Sequence, residues 1–140
     1  MAGKILLEVV TPEHLLFSKQ VDEVIAPGVD GEFGVLPGRA PFLTSLRIGE
    51  LQYKMDNAWH YMSVLWGYAE VNQTKVTILA EIAEKAEDID VERAAQKVAD
   101  AEQRLKTGGL PSDVKDAQIS LEKARLRKKI AERARGGTRH

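Results

Sequence analysis

Gly31–Leu51, GEFGVLPGRAPFLTSLRIGEL, is the stretch on which the reading of this chain turns. Gly31 and Gly34 bracket a short apolar run, Pro37-Gly38 and Ala40-Pro41 follow, and Gly49 closes a segment carrying Leu43, Leu46 and Ile48. Glycine permits positive φ and close backbone approach, whereas proline sets φ and lacks a donor. Gly/Pro pairs so closely spaced prescribe one bent path rather than a regular strand or helix. A loop constrained this tightly is either presented to a partner or serves as a sandwich corner, and the residues alone leave both open.

Outward from it, the first 85 or so residues alternate in the manner of strands. Lys4–Val10 is apolar on both faces except at Glu8, Thr11-Pro12-Glu13 turns the chain, and His14–Val21 continues it. Asp22–Pro27 sets Val24 and Ala26 against Ile25, and Gly28-Val29-Asp30-Gly31 is a turn. Asp56-Asn57 joins Leu51–Met55 to Trp59–Val64 as a hairpin, and Asn72-Gln73-Thr74 joins Gly67–Val71 to Lys75–Ala80. Short strands between such turns predict an antiparallel sandwich or flattened barrel.

Near Glu81 the apolar period lengthens from 2 to 3.6. Val91, Ala94, Val98, Ala101 and Leu105 form an a/d seam, with Asp88 or Asp90 available as its cap. Gly108-Gly109 and Pro111 stop that helix; Ser112 or Asp113 is expected to cap a second, whose seam is Val114, Ala117, Leu121 and Ala124. The reading is therefore α+β, with a β-sandwich domain over residues 1–86 and an antiparallel two-helix hairpin over 87–140. Seams this rich in alanine imply a hairpin held weakly to itself and to the sandwich, able to open or swing; a rigid appendage is the alternative.

Several functions are excluded at this level. With no Cys there is neither disulfide nor thiolate chemistry. Met1–Val10 lacks a small-residue cleavage site, so no signal peptide is expected, and no run of apolar residues suffices to span a bilayer. His14, His60 and His140 are scattered without metal-ligand spacing, and neither G-x-S-x-G nor a phosphate-loop motif occurs. His60, among aromatic neighbours, is read as structural, and catalysis by this chain alone is not expected.

Charge is uneven: residues 1–86 carry a net −4, residues 87–120 a net −3, and residues 121–140 a net +6. The basic end comprises Lys123, Arg125, Arg127, Lys128, Lys129, Arg133, Arg135 and Arg139. Such an end is either a surface for something acidic, nucleic acid or acidic protein loops, or simply a solvated tail. No aromatic residue interleaves these charges, so a base-stacking platform is missing.

Gly31–Leu51, together with Leu65–Ala94, LWGYAEVNQTKVTILAEIAEKAEDIDVERA, closely resembles the epsilon-subunit family of bacterial F-type ATP synthases, over nearly the whole chain. Gly31–Thr44 and Gly67–Asp90 are the most specific parts, and Arg39 is a departure, since many members carry His there. The resemblance implies a sandwich of about ten strands and a helical hairpin. It implies a non-catalytic central-stalk subunit that joins the gamma subunit to the ring of c subunits and rotates with them. Proton flow would thereby be coupled to ATP synthesis, on the cytoplasmic face of the bacterial inner membrane and with membrane contact only through partners. The helices would extend toward the catalytic α/β subunits and inhibit ATP hydrolysis.

On that resemblance Glu32, Phe33, Pro37, Arg39 and Pro41 are expected at the c-ring and gamma interface, and Lys123, Arg125, Arg127, Lys128 and Arg133 at the inhibitory contact. No cofactor is required, but some members bind regulatory ATP through an I/L-D-x-x-R-A motif. Here Ile89, Asp90, Arg93 and Ala94 match it, with Glu81 preceding and Arg127 following. Lys123 and Asp100 stand where nucleotide-binding members carry arginines, and Asp100 would repel phosphate. The bland alternative is an Asp90 that caps a helix and an Arg93 in an ordinary ion pair. Two other functions fit the residues: a nucleic-acid-binding β domain with a basic helical arm, and a free-standing ligand-binding sandwich.

Overall fold

The computed structural model describes residues 3–136, with side chains through Arg133. Met1, Arg139, His140 and the Arg135 side chain, all named above, lie outside what it describes. Strands β1 (Ile5–Val10), β2 (Leu15–Val21), β3 (Glu23–Gly28), β4 (Gly31–Val35), β5 (Phe42–Leu46), β6 (Gly49–Met55), β7 (Ala58–Val71) and β8 (Lys75–Lys85) precede a single 3-10 turn, Ala86–Asp88. Helices α1 (Val91–Thr107) and α2 (Pro111–Gly136) follow.

The strands pair in the order β2-β1-β8-β7-β5-β3-β4, with β6 bridging β3 and β7. This one ladder folds over itself into two layers. In β1 Ile5, Leu7 and Val9 are buried while the residues between them are not, and they meet Val24, Val35, Leu51, Met62, Val64 and Ile78 in the core. All neighbours are antiparallel except β1 and β8, which run parallel. The two come from opposite ends of the domain, so no short turn dictates their relative direction.

Part of the Gly31–Leu51 stretch is more regular than its composition suggests. Gly31–Val35 is a strand paired with β3 through Pro27 and Glu32, and the irregular residues are 36–41 between β4 and β5 and 47–48 between β5 and β6. The turn Val29-Asp30 supplies the reason: it closes a two-residue hairpin whose ladder then absorbs the glycines as strand residues. Asp56 and Asn57 both adopt positive φ, 54° and 63°, as the turn between β6 and β7 requires.

The sandwich turns its corner at Trp66-Gly67. Met62 and Val64 face the core before it, but Ala69 and Val71 do so after it, so the alternation slips by one residue. Strand β8 slips opposite, with Ile78 and Ala80 core-facing before and Ala83 after. Trp66 (φ 49°) and Gly67 (φ 142°) absorb the change. A Cβ on Gly67 would lie 1.8 Å from the Leu79 carbonyl oxygen, so only glycine fits. Because β7 (14 residues) and β8 (11 residues) each serve both layers, eight continuous strands do the work of the ten or so shorter segments expected.

Of the two candidate caps for α1, Asp90 is the one used: its Oδ1 accepts from the Arg93 N–H at 3.1 Å. Gly108 (φ 72°) ends the helix. Neither Ser112 nor Asp113 caps α2. Pro111, preorganised for a first helical position, starts that helix earlier, and the Leu110 carbonyl accepts from the Asp113 and Val114 N–H groups. Ala94 and Ala101 of α1 and Ala117, Leu121 and Ala124 of α2 are buried along the expected seam.

Tyr53 packs within the core against Phe17, with ring centroids 4.8 Å apart, and stacks on His60 at 5.2 Å, which makes His60 structural. Burial, and secondarily the Glu87 carboxylate, push the Tyr53 phenol up to about 12 from its ordinary 10. The folded chain thus retains a proton that the unfolded chain releases. This contribution is whole below pH 10 and is lost as the pH climbs towards 12, by on the order of 2 kcal/mol. Urea denaturation at stepped alkaline pH should show that decline, and Tyr53→Phe should flatten it. An unchanged slope in the variant would assign the alkaline loss elsewhere.

Candidate functional site

Three surfaces carry the residues of interest. The first is the edge formed by β4 and the 36–41 loop. Glu32 is exposed on β4, and its Oε2 accepts from the Gln52 Nε2 at 3.3 Å. Phe33 meets Phe42 edge-on at 5.2 Å. Arg39 lies over the Phe42 ring at 4.8 Å and donates to the Gly34 carbonyl. Pro37 is half-buried and Pro41 exposed, while the Gly38 N–H donates to the Gln73 carbonyl at 2.8 Å and ties the loop to the β7–β8 turn. All five residues expected at an interface thus share one edge, and the backbone there is pinned at both ends.

The second surface was not singled out from the sequence. Outward-facing residues of the β2-β1-β8-β7-β5 layer line up across the ladder: Val10 is opposite both Leu15 and Leu79, and Leu79 is opposite Tyr68. Leu15, Tyr68, Leu79 and, one row away, Leu43 are exposed at 53, 53, 44 and 66%. Beside them Pro12, Gly67 and Glu81 help line a mostly apolar cleft of about 360 Å³. The signal available in the sequence was apolar residues on both faces of Lys4–Val10 and Lys75–Ala80. A strand with one solvated face would alternate instead.

The third surface lies between the helices and the outer face of β6, the first half of β7 and the end of β8. Tyr61, Ala86, Ile89, Ala94, Ile130 and Ala131 form a second buried cluster there, with Trp59, Val91 and Leu126 packed against it. Two ion pairs flank it. Arg127 spans Glu84 with two bonds, Nε to Oε1 at 2.7 Å and Nη2 to Oε2 at 3.1 Å. Arg133 Nη1 meets Glu50 Oε1 at 2.5 Å, and its guanidinium lies over the Tyr61 ring at 5.1 Å. Lys123 sits over the Trp66 ring at 4.6 Å. The hairpin therefore has an anchorage beyond its alanine seam. The apolar part, with Ile130 fully buried, contributes about 2 kcal/mol from that residue alone.

These contacts occupy the basic residues that the sequence offers to a partner. Arg127 and Arg133 face the sheet, Arg125 reaches Glu102 of α1 at 3.5 Å, and Lys128 is half-buried. Of the residues expected around a nucleotide, Ile89 and Ala94 belong to the buried cluster, Asp90 is the cap, and Arg93 is exposed. Glu81 lines the apolar cleft on the sheet instead, and the carboxylate meeting Arg127 is Glu84. An open cleft of about 350 Å³ between the helices gathers Lys97, Arg104, Lys123 and Arg127, with Asp100 among them. Among the described residues no cluster of metal-ligating side chains occurs, and no helix is long and apolar enough to cross a membrane.

Comparison with known proteins divides the chain in two. Residues 4–86 match the family model for the beta-sandwich domain of the ATP synthase delta/epsilon chain, and residues 87–132 match that for its long alpha-helix domain. The ATP synthase epsilon chain of Citrifermentans bemidjiense is 50% identical over 137 residues, covering 96% of this chain and 98% of the relative. That of Nitratidesulfovibrio vulgaris strain DP4 is 48% identical over 130 residues, covering 93 and 97%. A chain in the Euglena gracilis mitochondrial ATP synthase, in a structure of OSCP, F1 and c-ring, is similar in fold, with a TM-score of 0.78 at 22% identity over 90% of this chain and 80% of that one.

Proposed function

The chain belongs to the delta/epsilon family of ATP synthase subunits, and on that premise we propose that it is the non-catalytic central-stalk subunit that couples rotation of the c-ring to ATP synthesis and restrains ATP hydrolysis through its helices. The observation that carries the coupling half is the uncovered apolar row Leu15–Val10–Leu79–Tyr68 on a sandwich whose other outer face is already occupied by the hairpin. Exposed apolar ground of this kind suits a permanent partner, here the gamma subunit. The pinned edge with Glu32, Phe33, Pro37, Arg39 and Pro41 is polar at its tip and suits the c-ring, which would hold the chain peripherally at the inner face of the bacterial membrane. Both partners then turn with it as one body.

Copurification tests this. The wild-type chain is expected to come down with gamma and the catalytic hexamer. The double variant Tyr68→Asp/Leu79→Asp alters only exposed positions and should fold, yet bind on the order of 100-fold more weakly, as loss of two central apolar contacts predicts. Undiminished recovery of the complex would remove the apolar row from the interface.

The helices supply the regulatory half. In the folded-down arrangement Arg127 and Arg133 are engaged by Glu84 and Glu50. Lifting the hairpin exchanges these carboxylates for acidic loops of the catalytic subunits, with Lys123, Arg125 and Lys128 joining the contact. Such an exchange of ion pairs is salt-sensitive and nearly balanced, which suits a switch. The same engagement argues against the basic helix as a standing nucleic-acid surface.

A second reading, regulatory ATP, is favoured by one observation: four cations against one carboxylate in the inter-helix cleft. Lys97 and Arg104 of α1 and Lys123 of α2 are placed to meet a polyphosphate, which Arg127 would join only by giving up Glu84, and a bound nucleotide would bridge α1 to α2. Isothermal calorimetry on the isolated chain should register binding, weakened at least tenfold by Lys123→Ala/Arg127→Ala. No heat at millimolar ATP, with or without Mg²⁺, would dispose of it.

A further inference from the structure

The pinned edge and the hairpin meet in one polar chain. Glu32 on β4 and Glu50 on β6 lie on the same outer face: Ile25 of β3 is the ladder partner of both Gly34 and Gln52, and Glu32 and Glu50 each stand two residues from these along their own strands. Gln52, two residues along β6 and 2% exposed, donates from Nε2 to Glu32 Oε2 at 3.3 Å. Glu50, 8% exposed, uses Oε1 to hold Arg133 of α2. Neither Gln52 Oε1 nor Glu50 Oε2, both buried, finds a hydrogen-bond partner among the described residues. An exposed carboxylate is thus joined through a buried amide to the neighbourhood of a buried carboxylate, and through that to the helix.

We propose that Glu32, Gln52, Glu50 and Arg133 form a relay by which a cation engaging Glu32 loosens the hairpin from the sandwich. Two effects act in the same direction. A partner lysine or arginine on Glu32 removes negative potential that helps retain Arg133. It also withdraws the acceptor from the Gln52 amide, whose N–H₂ is then free to turn to the orphan Glu50 oxygen and compete for the carboxylate that Arg133 uses. Linkage makes the effect reciprocal, so a docked hairpin weakens the hold of that cation on Glu32 by the same factor. The identity of the partner as the c-ring rests on the function proposed above. The relay itself concerns this chain alone and is tested without any partner.

The measurement is amide hydrogen exchange over the end of α2, Leu126–Arg133, in the full chain at low salt, with exchange in β1 as the report on the sandwich. Glu32→Gln is expected to speed α2 exchange about threefold, and Glu32→Lys by more, while β1 is unaffected. In a Gln52→Met background the Glu32→Gln effect should fall below half its size, because the amide link is cut. Should Gln52→Met fail to fold, Glu50→Gln cuts the chain at its other joint and should do the same. Unchanged α2 exchange in Glu32→Gln would overturn the proposal, and so would an undiminished effect in the Gln52→Met or Glu50→Gln background.

Discussion

A chain lacking residues 88–140 is expected to fold, assemble and couple normally while ATP hydrolysis by the complex that contains it rises about fivefold, the equivalent of roughly 1 kcal/mol of lost restraint. The structure makes the first half of this expectation specific. The sandwich core draws no residue from beyond Ala83, so its packing survives the deletion. What is lost is the second cluster, which leaves Trp59 and Tyr61 on a face the hairpin had covered. The residues of the apolar row and of the Glu32 edge all precede the deleted segment. A companion experiment runs the other way. Glu50→Gln/Glu84→Gln removes the sheet side of both ion pairs without altering a single cation of the hairpin. It should populate the lifted state and lower hydrolysis two- to fivefold, more clearly at low salt. Unchanged hydrolysis in the truncated complex would sink the inhibitory role; failure to assemble would show that the helices belong to the stalk contact.

Gly67→Ala is the substitution with the largest expected effect on the fold. Most destabilising substitutions leave room for adjustment, but here the added Cβ would approach a backbone carbonyl to 1.8 Å, and the backbone sits at φ 142°. Backbone of the paired strand must therefore move, at the one ladder position where both long strands change layers. A loss of about 4 kcal/mol or more is expected, lowering the melting temperature by over 10 °C or preventing soluble recovery. Gly31→Ala is the control. Its φ of 131° is strained for alanine but nothing lies within 4 Å of the added carbon, so it should cost only about 1–2 kcal/mol. Comparable stability of the two variants would mean that the corner is not where β7 and β8 place it.

The Tyr68–Leu79 pair shows how far the candidate site was legible. Gly67–Val71 and Lys75–Ala80 were legible as strands, and so was the turn between them. The facing of Tyr68 and Leu79 follows from that turn, but their lying next to Val10 and Leu15 depended on β1 pairing with β8, a contact between the ends of the domain. Arg127 and Arg133 make the same point for the helices. Both were legible as members of a basic end. Nothing in their spacing distinguished them from Lys129, which remains exposed, because the carboxylates that hold them lie 43 and 83 residues away. Glu81 was read as part of a nucleotide site from its place before the I-D-x-x-R-A motif. Three residues further on, past the change of alternation, Glu84 is the one turned to the helix.

What the sequence by itself determined is whatever short-range chemistry controls. That includes the Asp56-Asn57 hairpin, the alanine seam of α1 and α2, and the family through its Gly/Pro-rich edge. The change of period expected near Glu81 falls later, because β8 runs on to Lys85 and α1 starts at Val91. The tertiary structure alone decided which faces remain open, where the layers exchange strands, and which cations are already spoken for. Propensity and periodicity act over a few residues, whereas these outcomes depend on contacts across the whole ladder, where a slip of one residue at Trp66-Gly67 reverses what faces the core.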